Sequence, residues 1–266
     1  MGNIPVLGPA QAAYFWLKNR SRASKLKKWA EGKGLKFAPT TKLFTPPANP
    51  AEHADESGFA GHSRRAHGIF LRLFGLSKIQ QTYHQFAANR FRGDWQSDKN
   101  ICWGTWNGFT VITWDTVYYD LHTGQDTDWT EGEYSSILIL TDTPLHSALI
   151  TPNSLLKRLS SFGIEEGYGS FKMHTVKFEL DAFNKAYKVR GHDPKWTFAI
   201  IDQEMIEWML DQKSKHTIEI AAGGVMVSTW FTLTPDQLEN QLDFCTRFLQ
   251  HIPEDLKHHN MDGSAV

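Results

Sequence analysis

Histidines and carboxylates gather in a few stretches of this chain, and each stretch suggests a different chemistry. His53, His62 and His67, with Asp55 and Glu56, are side-chain types that hold a transition metal. Metal sites usually fix at least one ligand pair on a rigid element, such as i and i+4 on a helix. The surrounding TPPANPAEHADESGFAGHSRRAHG shows no helical period. These residues therefore read as solvated surface, as do His258 and His259, and no metal is expected. Asp126, Asp128, Glu131 and Glu133 place four carboxylates within eight residues, the ligand class of Ca²⁺, but without the mid-loop glycine and terminal glutamate of an EF-hand. An acidic hairpin loop kept in water is the expectation. His192 beside Asp193, and Asp115, are of the types that move protons. Asp193 already has a sufficient task as a helix cap before Pro194, and no motif places a nucleophile near it.

The chain contains no G-x-S-x-G, no H-E-x-x-H and no Walker loop. Gly167-Tyr168-Gly169 opens like a dinucleotide loop, lacks the third glycine, and reads as a turn. No catalytic residue and no cofactor is expected. Trp103, Trp106, Trp114, Trp129, Trp196, Trp208 and Trp230 mostly sit in periodic segments and read as packing.

One feature competes for a function. Residues 1–36 hold eight bases and one acid, Glu31, so this segment is +7 and the remainder of a chain of net charge −1 is −8. Lys18, Arg20, Arg22, Lys25, Lys27 and Lys28 follow directly on Tyr14, Phe15 and Trp16. That composition suits a segment that settles on an anionic membrane surface, each base adding about 1 kcal/mol near it. Phosphates of a nucleic acid are a weaker candidate. Docking onto the chain's own acidic remainder satisfies the same charges, and basic surface helices are common, so the plain structural reading stays open beside the membrane one.

The elements that must position these residues are legible in part. Gly8-Pro9 starts and Gly32 with Gly34 stops a helix of about 20 residues. On a helical wheel Ala12, Trp16, Ala23, Leu26 and Ala30 share one face and Lys18, Arg22, Lys25 and Lys28 the opposite one, while Arg20 and Lys27 intrude on the apolar side. ICWGTW and FTVITWDTVYY flank Asn107-Gly108, which predicts a type I′ hairpin. YSSILILTD and HSALITP read as strands, Asn153 as the cap of a short helix through Leu159, and TVKFEL as a half-buried strand facing inward with Val176, Phe178 and Leu180. Asp193-Pro194 begins a helix and Asp202 caps a second piece. HTIEIAA and VMVSTWFTL pair around Gly223-Gly224. Thr234-Pro235-Asp236-Gln237 opens a last helix whose stripe is Leu238, Leu242, Cys245, Leu249 and Ile252.

Composition bounds the rest. With 266 residues and 41% hydrophobic side chains, the chain can bury roughly three quarters of its unfolded surface without disulfide or metal staples. Cys102 and Cys245 stand far apart with no C-x-x-C, which fits a reducing cytoplasm. There is no run of about 18 apolar residues, Pro5 and Pro9 stand where a signal peptide needs a basic start, and Val6 breaks the myristoylation pattern. The expected fold is α+β, with antiparallel hairpins in one or two sheets and helices packed on them. The expected organisation is a basic N-terminal helix (1–36), a long connection with small elements (37–99), an α+β domain (100–256) and a mobile tail (257–266).

The stretch FELDAFNKAYKVRGHDPKWTFAIIDQEMIEWML resembles a bacterial family of hypothetical proteins of unknown function. The resemblance rests on Phe183, Asn184, Tyr187, Val189, Asp193, Pro194, Met205, Glu207, Trp208 and Leu210. With the hairpin, the Ile/Leu-rich strand and the last helix ending at Ile252-Pro253, it covers roughly residues 100–256. Some members carry membrane spans ahead of the shared region, and the basic helix would stand in their place as a surface anchor. The resemblance brings no activity and no catalytic residues.

The resulting expectation is a non-enzymatic binding or scaffold module, cytoplasmic and peripheral to an anionic inner membrane surface, or bound to a protein partner. The alternative is a hydrolase or transferase built from His and carboxylates of separate elements.

Overall fold

The computed structural model describes residues 9–40, 95–122, 128–142, 145–154, 173–221, 223–253 and 256, with backbone alone at 9–19, 40, 95–97, 118–122 and 128–131. The strands are β1 (Lys36–Thr40), β2 (Trp95–Trp106), β3 (Phe109–His122), β4 (Asp128–Leu140), β5 (Ala148–Pro152), β6 (His174–Val176), β7 (Tyr187–Gly191), β8 (Thr217–Ala221) and β9 (Gly224–Ser228). The helices are α1 (Pro9–Gly32), α2 (Asp181–Ala186), α3 (Pro194–Ile200), α4 (Gln203–Gln212) and α5 (Pro235–His251). All nine strands join one antiparallel sheet in the order β1-β2-β3-β4-β9-β8-β5-β7-β6, so the fold is α+β.

Local chemistry sets the elements. Asn107 and Gly108 both take positive φ, 48° and 85°, the geometry that lets a two-residue turn follow the twist of β2 and β3. Asp193 caps α3 by accepting from the Lys195 and Trp196 N–H groups, and Asp202 caps α4 through the Met205 N–H. Thr234 and Gln237 exchange side-chain-to-backbone bonds in a capping box at the start of α5. The α5 stripe from Leu238 to Ile252 is buried throughout.

Alternation along the central strands divides the core between two faces. Val111, Ile137, Ile139, Val225, Val227, Ile218 and Ile220 lie in the large cluster with α1, α4 and α5, where Leu26, Ala30, Met205, Met209, Leu242 and Phe248 meet them. Ile112, Trp114, Leu138 and Met226, the residues between, form a smaller cluster on the other face.

Two expectations change. TVKFEL pairs only through Val176, the end of β6. The Asn184 amide accepts from the Phe178 N–H at 3.0 Å and donates to the Phe178 carbonyl at 2.6 Å, which takes up the groups a longer ladder would need. Phe178 is buried as expected, but Leu180 is 44% exposed because α2 begins at Asp181. The acidic stretch is not wholly a loop: Asp128, Glu131 and Glu133 belong to β4. The segments 41–94 and 155–172, with the short elements expected there, and the tail 257–266 lie outside the described residues.

Gly224 marks the tightest approach in the sheet centre. A Cβ there would stand 2.6 Å from the Ile139 carbonyl oxygen, and backbone on both sides cannot yield. Gly224→Ala is therefore expected to cost about 2 kcal/mol by chemical denaturation, and a neutral result would show that β4 and β9 are not so closely joined. Cys102 and Cys245 are buried free thiols. Burial pushes the Cys102 thiol up to about 12 and raises Cys245 as well. Neither is expected to react with a thiol reagent at neutral pH until the protein unfolds, and stoichiometric labelling of the native chain would contradict this burial.

Candidate functional site: helix α1 and its buried anchor

Helix α1 ends where its sequence says it should. Gly34 takes φ 73°, the Leu35 N–H reaches the Ala30 carbonyl at 2.8 Å and the Gly34 N–H reaches Glu31 at 3.1 Å, which is a Schellman stop. Leu35 and Ala30 both enter the core behind it. This turn feeds β1 directly, so the helix is tied to the sheet at its C-terminal end.

Its rotation is fixed farther back. Leu26 and Ala30 are buried, and Arg22 lies one turn before Leu26 on the same stripe. The Arg22 guanidinium donates from Nε to Asp115 Oδ2 at 2.7 Å and from Nη2 to Asp115 Oδ1 at 2.8 Å, a two-point pair. The side chains of Arg22 and Asp115 are 14% and 3% exposed. Asp115 on β3 stands opposite Ser135 on β4, whose hydroxyl donates to Oδ1 at 2.6 Å. Asn100 Nδ2 donates to Oδ2 at 2.8 Å.

Asn100 reaches that position because the β2–β3 register shifts between Lys99 and Cys102 and Asn100 itself takes φ 54°. Such a bulge re-aims a side chain that a regular strand would turn away. The Ser135 oxygen accepts from the Leu233 N–H at 2.9 Å, just ahead of α5. Nearby, the Thr229 hydroxyl accepts from the Ser135 N–H at 3.0 Å. A continuous polar thread thus runs from α1 through β2, β3 and β4 to the start of α5. On the same side of the sheet Lys99 pairs with Glu133 at 2.6 Å.

The pairing corrects one sequence expectation: Arg22 belongs to the inner face of α1, not to the outward base set. The wheel centred on the small alanines placed the apolar face too far round, and the Arg22-Leu26-Ala30 stripe is the one that packs. Arg20 and Lys27, expected to intrude on the apolar side, are exposed, as are Lys25 and Lys28. Lys27 makes only a long, exposed contact with Glu31 at 3.8 Å. Lys18 lies on α1, with its side chain outside the described residues. Near the C-terminal end, Lys33 and Trp29 both reach Glu239 of α5, at 2.6 and 3.4 Å. The Lys33 hydrogen bond holds the Glu239 carboxyl below its ordinary value.

The other residues picked from sequence do not converge. His192 is exposed, and Asp193 serves as the α3 cap. Glu133 is occupied by Lys99. Among the described residues no group of three or more His, Cys, Asp or Glu is placed to hold a metal. His251 meets Glu204 at 3.3 Å, but that carboxylate is 79% exposed. His53, His62, His67, Asp55, Glu56, Asp126, Gly167, Tyr168, Gly169, His258 and His259 lie outside the described residues. Sequence reasoning missed Asn100 and Ser135 entirely. The available signal was Asp115, an acid at an inward position of an alternating strand, which had to have partners.

No family model and no curated protein matches the chain. Among solved structures, the crystal structure of the mycobacterial trehalose monomycolate transport factor A, TtfA, is similar at a TM-score of 0.46 and 10% identity, over 90% of this chain and 96% of that one. A likeness of that size assigns neither family nor function.

Breaking a buried pair leaves an uncompensated charge. Arg22→Ala is expected to destabilise the protein by about 3 kcal/mol in urea, and Arg22→Met combined with Asp115→Asn to lose less than the sum of the two single changes. Strictly additive losses would show that the two groups are not coupled.

Proposed function

We propose that the protein is a non-enzymatic binding module of the bacterial cytoplasm whose helix α1 rests against an anionic membrane surface. The observation that carries this reading is the Arg22–Asp115 anchor. It sets the rotation of α1, so that Leu26 and Ala30 face the core while Arg20, Lys25, Lys27 and Lys28 stand exposed along the outer side. A row of bases on a firmly seated helix can meet lipid phosphates together, each contributing about 1 kcal/mol where the surface potential is strong. Ser21 and Ser24 lie between the basic flanks, and Ser24 is exposed, so no large apolar wedge is offered there. The contact proposed is electrostatic and lies at the surface.

No helix among the described residues is long and apolar enough to cross a membrane. The likeness of residues 100–256 to a bacterial family of unknown function adds no residue to this reading.

Co-sedimentation with vesicles tests it. Binding is expected to phosphatidylglycerol-containing vesicles and not to pure phosphatidylcholine, to weaken as salt rises through the physiological range, and to fall by about tenfold or more in Lys25→Glu/Lys27→Glu/Lys28→Glu. Equal binding to both vesicle types, binding to neither, or an unchanged triple variant would remove the proposal.

A further inference from the structure

The flank of α5 that faces away from α1 borders a separate concavity. Glu239 points to α1, whereas Phe244, on the opposite side of α5, lines an open cavity of about 590 Å³ beside the chain that links α4 to β8. That volume is within the range of small-molecule sites.

Its walls are chemically divided. Lys213 and Lys215 stand on the turn after α4, His216 follows them, and Trp230, Phe231 and Phe244 supply aromatic surface. None of the described residues that line it is acidic. The turn carrying the lysines is held in place. Lys213 takes φ 50° at the α4 C-cap, and its N–H reaches the Met209 carbonyl. The Tyr187 hydroxyl lies within reach of the Met209 and Ser214 carbonyls, at 3.2 and 3.3 Å, and the His216 N–H donates to the Ser214 hydroxyl at 3.3 Å. Phe244 is backed by the stacked indole of Trp208 at 5.1 Å, and His216 meets Phe231 edge-on at 6.2 Å. Phe231 is 51% exposed, so much of its ring is open to an occupant of the cavity.

The His216 ring is poised rather than used. Nδ1 is sealed from water with no hydrogen-bond partner, and the residue lines the cavity. Burial first and then Lys215 lower its pKa below the ordinary value, so at neutral pH the ring is uncharged. A bare Nδ1 costs less than a sealed N–H without an acceptor, and this favours the tautomer whose Nε2 carries the hydrogen and can donate.

We infer that this cavity binds a small amphiphilic anion, its carboxylate or phosphate head held by Lys213, Lys215 and His216 Nε2 and its planar or acyl body laid against Trp230, Phe231 and Phe244. Two ammonium groups attract the head, and the aromatic wall removes the body from water. A bare ion would satisfy the lysines and leave the rings uncovered, while a neutral apolar molecule would leave the charges unmatched.

Isothermal titration of the full chain with 1-naphthoate, dodecanoate and inorganic phosphate, and with 1-naphthalenemethanol and dodecanol as uncharged counterparts, tests this. Binding of 1-naphthoate or dodecanoate is expected to exceed that of phosphate and of the matching alcohol, and whichever of the two binds more tightly identifies an aromatic or an acyl body. Lys213→Glu/Lys215→Glu should weaken the bound acid about tenfold or more, and Phe231→Ser, at a half-exposed position, should weaken it about threefold or more. Circular dichroism confirms that each variant is folded. A Kd above about 1 mM for both acids, phosphate binding as tightly as either acid, or affinities unchanged in the folded variants would overturn the inference. None of these substitutions touches α1, so vesicle binding and cavity binding stand or fall separately.

Discussion

The Arg22–Asp115 pair is the constraint on which the arrangement of this protein turns. A carboxylate 3% exposed on an inward strand position is tolerable only when its lone pairs are matched, and here one guanidinium, one amide and one hydroxyl match them. The need for those partners explains three otherwise separate features: the bulge that turns Asn100 inward, the placement of Ser135 opposite Asp115, and the rotation of α1. Because the Ser135 oxygen also receives the Leu233 N–H, the approach to α5 is drawn into the same network. Such a network specifies one arrangement over its neighbours, since a slip of α1 by a single residue would strand two buried charges.

This anchor also separates the roles of the bases on α1. One base is internal structure; the exposed bases are surface. A segment of +7 by composition is therefore a mixed object, and its net charge overstates what an external surface can meet. At the far end of the helix Lys33 is likewise engaged, by Glu239. Lys25, Lys27 and Lys28 lie between these two fixed points, and the outward row inherits its direction from them.

What the sequence made legible was local. Asn107-Gly108, Asp193-Pro194, Asp202 and the Thr234-to-Gln237 box each encode a backbone event within four residues, and each stands where the chain predicts it. The α5 stripe is equally local, because helical period alone selects its face. What stayed hidden depends on partners distant in sequence: Arg22 meets Asp115 across 93 positions, and no wheel drawn on α1 alone can weigh that attraction against an alanine. TVKFEL failed for a related reason. Its alternation is real through Phe178, but the Asn184 amide occupies the Phe178 backbone and ends the strand early. The cavity beside His216 is assembled from the end of α4 and the turn after it, the chain before α5, α5 itself and Ser154, so no single stretch of sequence marks it.

The strand order carries a consequence for how the chain is made. Among the described residues, β1 to β4 form one block of the sheet and β5, β7 and β6 another, and the β8–β9 hairpin, which comes later in the chain than both, joins them. During synthesis, β4 must wait with Ile137, Leu138 and Ile139 on an open edge until residues 217–228 have left the ribosome, and β5 waits with it. The last hairpin is thus the keystone of the sheet, and a nascent chain stalled before it exposes two sticky margins that a chaperone would have to shield.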